Sequence, residues 1–312
     1  MSAQMNQQTD TQTGVQMNAP TGAQANTQTG AQPAAQSTNS NIATKKTAIL
    51  NGSLLSYFMR KHRVLFIVMA ICTAGYSVMI IALWPLMIDQ SFQQMLEQLA
   101  NTIPGLDTQS LVMSLGQYVE TQWLGMYWLP LAGAIMIVIA AKAIAGSIND
   151  GSMETICAAP IKRTTYLNTV VLVLLIVSAV LSVATIVPLA ALGPVFKAGF
   201  SAGTTALLLV ASWLILFVFG LLILAISSWT RGLAPSVVIA VAFILVMLVL
   251  YLVIPLVDFL KILNPISLLH WWGSAGIIDN GTAEQGLWIW LAVVGVASLV
   301  VSYIGFHKRD LT

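Results

Sequence analysis

The chain has 312 residues, of which 57% are hydrophobic and only 8% charged, with a net charge of +2. Soluble domains carry roughly a quarter charged residues, so this composition excludes an ordinary soluble globule. No basic stripe or cluster suggests a nucleic-acid partner, and the few cations are better explained by topology.

Residues 1–46 read as a tail apart from the rest. They are built from Gln, Thr, Asn, Ala and Gly, and an eight-residue repeat shows through at Thr13-Gly14-Val15-Gln16, Thr21-Gly22-Ala23-Gln24 and Thr29-Gly30-Ala31-Gln32. Such a segment has almost no apolar surface to set against its ordering entropy, so it is expected to be disordered. The remainder, 47–312, is expected to form one transmembrane domain. It opens at 50–63, where Leu54, Leu55, Phe58 and Met59 adjoin the basic Arg60, Lys61, His62 and Arg63. This reads as a short amphipathic helix at the membrane interface or as an extension of the first span.

Six apolar stretches follow, at 64–88, 123–145, 169–190, 205–227, 235–257 and 287–306. A helix rises 1.5 Å per residue, so about 20 apolar residues cross a hydrocarbon core of about 30 Å with every backbone hydrogen bond made internally. The expected fold is therefore an all-α membrane protein with six transmembrane helices, the first acting as an uncleaved anchor. With the amino terminus inside, the inner segments hold Lys45, Lys46, Arg60, Lys61, Arg63, Lys142, Lys162, Arg163, Arg231, Lys308 and Arg309, and the outer ones only Lys197 and Lys261. That asymmetry puts both termini in the cytoplasm. Cys72 falls in a span and Cys157 in an inner loop, which argues against a disulfide.

Trp84, Trp123, Trp128, Trp229, Trp271, Trp272 and Trp288 lie near span ends or in outer loops and read as an aromatic belt. The outer loop 89–122 has apolar residues at helical spacing on either side of Pro104-Gly105, the pattern of two amphipathic helices. In the last outer loop, 258–286, the stretch 266–278 is too short and too rich in Gly to cross, and reads as a re-entrant or interfacial segment. No span so bounded holds an Asp or Glu, which argues against an ion-coupled carrier. Lys142, at the inner end of the second, reads as a snorkelling residue.

The inner loop between the second and third spans is the most distinctive polar segment. Asp150 or Ser152 can cap a short helix with an apolar edge of Met153, Ile156 and Cys157, and Pro160 helps to end it. Taken alone, it reads equally as an ordinary connection carrying basic residues for topology.

The same loop resembles the signature segment of ABC transporter permeases of type 2, a family of drug, antibiotic and polysaccharide exporters. Gly151, Ser152, Glu154, Pro160 and Arg163 match it in register. The closing run Phe306-His307-Lys308-Arg309-Asp310-Leu311 and the Asn264-Pro265-Ile266-Ser267 segment resemble two further family motifs. The chain departs from the pattern at Ser147, where a Glu is usual, and at Asn168, where a Lys is common.

The resemblance implies a permease subunit in the cell membrane whose inner loop, through Asp150, Gly151, Glu154, Pro160 and Arg163, is received by a separate ATP-binding subunit. It also implies a second permease subunit, as homodimer or heterodimer. No G-x-x-x-x-G-K-[ST] phosphate cradle occurs, so ATP is expected on the partner chain and no cofactor on this one. The apolar span faces suit a hydrophobic or amphipathic cargo. A reading from another class is a non-transporting immunity, sensor or anchoring protein on the same scaffold. An intramembrane serine protease would need Ser274 and His307 within hydrogen-bond reach, yet they fall on opposite faces of the bilayer. The three histidines, in separate segments, lack metal-ligand spacing.

Overall fold

The computed structural model describes residues 52–102, 113–147 and 163–308, all within one compact unit. The tail and most of the inner loop lie outside the described residues. Among the described residues there is no strand, and six helical stretches are long and apolar enough to cross a membrane.

The first, α1 (Gly52–Met87), has 36 residues. At 1.5 Å per residue it reaches about 54 Å, well beyond a hydrocarbon core of about 30 Å. Residues 52–63 thus continue into the first span, the second of the two readings for that segment. Phe58, His62 and Phe66, spaced by four, are buried on one face. After Pro85 the helix stops, and Asp89 caps α2 (Gln90–Thr102): its carboxylate accepts the Ser91 N–H at 2.8 Å and also the Ser91 hydroxyl. The Gln93 side chain donates to the Met87 carbonyl at 2.6 Å, serving one of the carbonyls that a helix end leaves open.

The second span covers Leu115–Gly146 and is the most enclosed, 72% buried against 22% for the first and fifth. It begins as α3 (Leu115–Val119), set by a Ser114–Gln117 capping box, and widens into a π turn at Glu120–Leu124. It then resumes as α4 (Trp128–Ala141) and widens again at Lys142–Gly146. The second helix expected in the first outer loop is therefore the start of this span. The third span is α5 (Arg163–Leu192) with a 3₁₀ turn at Gly193–Phe196, and the fourth is α6 (Ala202–Trp229). The fifth is α7 (Leu233–Val253), tightening to 3₁₀ at Ile254–Leu256.

The last loop holds a 3₁₀ segment, Asp258–Ile266, then α8 (Leu268–Trp272) and α9 (Ser274–Asn280). They are separated by Gly273, whose φ of +36° favours glycine. The sixth span is α10 (Gln285–Lys308). Along the membrane, α1 lies on α5, while α6 packs on α5, α4 and α10.

The buried indoles correct the aromatic-belt reading. Trp123, Trp128 and Trp272 are fully buried, and their N–H groups donate to Ser77 Oγ (2.8 Å), Thr185 Oγ1 (2.9 Å) and the Leu124 carbonyl (2.9 Å). An indole in the interior needs such a partner, because no water is there to supply one. Trp229 is exposed, as a belt residue should be.

Candidate functional site

Of the residues expected to form the coupling loop, Asp150, Gly151, Glu154 and Pro160 lie outside the described residues. Arg163 opens α5 and is exposed. What flanks the loop is informative. Three residues after Arg163, Tyr166 is buried, and its hydroxyl donates to the Ala143 carbonyl in the second π turn. The same hydroxyl lies 3.3 Å from Ser147 Oγ, which donates to the Lys142 carbonyl at 3.1 Å. The Tyr166 ring stacks on Phe306 of the sixth span (5.9 Å, 17°) and meets Phe58 of the first at 6.1 Å. Five residues after Arg163, Asn168 accepts the Tyr303 hydroxyl, and Ala145 N–H reaches Ser227 Oγ at 3.4 Å.

Both ends of the loop are therefore fastened to one junction shared by the first, second, third and sixth spans. Ser147 and Asn168, the two departures from the family pattern, are both part of it. Tyr166 escapes a reading of the sequence because a tyrosine near a span end looks like an interfacial anchor. Its position in the turn that follows the motif arginine was the available signal.

At the other end of the bundle two carboxylates cap each other's helices. Glu120, in the first π turn, accepts the Ala275 N–H at 2.5 Å, the Ser274 hydroxyl at 3.1 Å and the Tyr251 hydroxyl at 3.3 Å. It thus serves the start of α9, while Asp279 near the end of α9 serves the start of α3. Asp279 accepts the Gly116 N–H at 2.9 Å and the Ser114 hydroxyl at 2.5 Å. Free N–H groups and the positive end of the helix dipole favour a carboxylate at both places. Close approach makes the exchange possible: a Cβ on Gly116 would lie 2.5 Å from the Ala275 carbonyl and 2.6 Å from Asp279 Oδ2.

Glu120 is the one Asp or Glu within the six spans as the structure bounds them. Hydropathy had started the second span at Trp123 and so left this carboxylate outside. Ser274, the serine of the protease reading, bonds to Glu120, whereas His307 lies in the last turn of α10, at the Tyr166 end. No group of three or more metal-ligating side chains occurs among the described residues.

Six helices can cross a membrane, and the family model for ABC-2 family transporter proteins matches residues 2–311. The chain belongs to the ABC-2 transporter family. A comparison with curated proteins gives no match. The permease is thus a multi-pass membrane protein and a transport component. Subunits of this family generally work with an ATP-binding subunit and are generally not catalytic themselves. In this ABC-2 permease, the Tyr166 junction lies at one end of the second span and the Glu120–Asp279 clamp at the other.

Proposed function

We propose that this permease is the transmembrane part of an ATP-driven exporter in the plasma membrane, with both termini cytoplasmic. It works with a separate ATP-binding subunit and with a second permease subunit, identical or related, and carries a hydrophobic or amphipathic cargo. ATP is bound on the partner. The observation that carries the reading is the Tyr166 junction. A force applied to the loop at Asp150, Gly151, Glu154, Pro160 and Arg163 enters a point where the second and third spans are hydrogen-bonded to each other and stacked on the first and sixth. ATP then shifts the membrane part between two states by binding one of them more tightly, and the loop transmits that difference.

The test is purification of the tagged full-length chain from its own cells, followed by crosslinking from Cys157. An ATP-binding chain is expected to copurify and to crosslink, and Glu154→Ala or Arg163→Ala is expected to lower its ATPase activity several-fold. Tyr166→Phe should leave hydrolysis largely intact while reducing the ATP-driven movement of a fluorophore placed at the Glu120 end. Absence of a nucleotide-binding partner, or labelling of Cys157 only from the face opposite nucleotide, would overturn the reading.

A further inference from the structure

Beside the clamp, between α8, α9 and the start of α10, is a cavity of about 200 Å³. Its walls include Glu120, Glu284, Trp271, Trp272 and Ile277, and no Lys or Arg lines it. The aromatic walls are fixed in place. The Trp271 ring lies so close over Gly286 that a Cβ there would meet Cζ3 at 2.0 Å, and its edge meets His270 at 5.2 Å. Trp272 is held by its bond to the Leu124 carbonyl and by stacking on Trp128 at 5.8 Å. Glu120 takes its hydrogen bonds from an amide and two hydroxyls, none of them a cationic side chain. Glu284 is exposed at the rim.

We propose that this cavity binds a small organic cation, an ammonium carrying a few carbon atoms. Aromatic faces attract such a cation through their quadrupoles, and carboxylates fix its position. An anion would be repelled, and a neutral molecule would form no ion pair with the two carboxylates. A metal ion would forgo the indole walls, and the described residues offer it no set of three ligands. The volume falls below the roughly 300–1,000 Å³ of pockets for drug-sized ligands, which fits a group the size of tetramethylammonium or choline. An ionisable residue inside a span marks a functional site by default, and no cationic side chain lines the cavity beside Glu120. The proposal concerns binding by this chain alone and stands apart from the transport reading.

The measurement is calorimetric titration of the full-length chain in maltoside micelles with choline, and with 3,3-dimethyl-1-butanol, its uncharged carbon analogue. Choline is expected to bind saturably, and the neutral analogue at least about tenfold more weakly. Trp271→Leu and Glu284→Gln, both away from the reciprocal caps, should each weaken choline about three- to thirtyfold, and Glu284→Gln, exposed at the rim, should do so with unchanged thermal unfolding. Nanodiscs separate two sources of the cation. Weaker free-choline binding in phosphatidylcholine than in phosphatidylglycerol discs identifies a lipid headgroup as the occupant, and equal binding identifies a soluble cation. Failure of choline to saturate, equal binding of the neutral analogue, or indifference to Trp271→Leu would overturn the proposal.

Discussion

Gly116 shows how much a single position can depend on a distant part of the chain. An alanine there would drive its methyl into the Ala275 carbonyl at 2.5 Å and Asp279 Oδ2 at 2.6 Å, so α3 and α9 must separate and the reciprocal caps must loosen. Gly116→Ala is expected to cost about 1–3 kcal/mol, the range for overpacking against rigid neighbours. Gly75→Ala, exposed in α1 with nothing within 4 Å of the added methyl, should be neutral or stabilising by up to about 1 kcal/mol through helix propensity. Unfolding of both variants in the same micelle checks the pair, and a Gly116→Ala protein as stable as Gly75→Ala would contradict the clamp. Neither Gly116 nor Glu120 stands out in the sequence, because what gives each its role lies far along the chain: Asp279 is 163 residues from Gly116, and Ala275 is 155 from Glu120. Arg163 could be picked out because its motif is local. Tyr166 offers only its place just after that motif, because its partner Ala143 is 23 residues away across the loop.

Helices divide in the same way. The six spans were legible because a bilayer demands both length and apolarity, and few other structures satisfy that demand. Their ends were less so. Hydropathy discards the polar turn before Trp123, yet Ser114, Asp279 and Tyr251 hold that turn in the second span by hydrogen bonds. The belt reading failed at Trp123, Trp128 and Trp272 for a related cause, since an indole with an internal partner is indistinguishable in sequence from one at the interface. Where an end is set locally, its chemistry can be tested directly. The Ser91 hydroxyl, followed by the Ser91 backbone N–H, holds the exposed Asp89 carboxyl below the ordinary carboxylate range. The folded value lies under the unfolded one of about 3.9, so the cap on α2 is fully present above that pH and is lost as pH falls through the lowered folded value. Amide exchange at Ser91 and Gln93, corrected for intrinsic rates, should be flat from pH 7 to 5 and accelerate only in stronger acid. In Ser91→Ala the acceleration should begin at higher pH, and in Asp89→Asn it should vanish. Acid-induced fraying that persists in Asp89→Asn would refute the assignment.

Across the whole molecule, the second span is the element that reaches both sites. Its first π turn carries Glu120 to the clamp and its second carries Ala143 to Tyr166, with α4 between them. In the proposed cycle a displacement of the inner loop reaches the clamp along α4, and only a tightly packed α4 can pass it on. Packing in a bilayer differs from packing in water, because lipid tails are as apolar as Ile or Val and no hydrophobic transfer term favours helix association. Truncating a buried residue therefore loses dispersion contacts and leaves a cavity, without the transfer term. Ile135, 1% exposed on α4, and Val249, 56% exposed on α7, separate these cases. Ile135→Ala is expected to cost about 1–2 kcal/mol, the cavity part of the roughly 2–5 kcal/mol lost in soluble cores. Val249→Ala faces lipid tails that fill the gap or a partner surface, and should cost less than about 0.5 kcal/mol in the isolated chain. Denaturant unfolding in nanodiscs measures both, and equal costs would mean that α4 is no better packed than the rim. If Ile135→Ala also blunts the ATP-driven response at the Glu120 end while leaving hydrolysis unchanged, the second span is the mechanical link between the two sites.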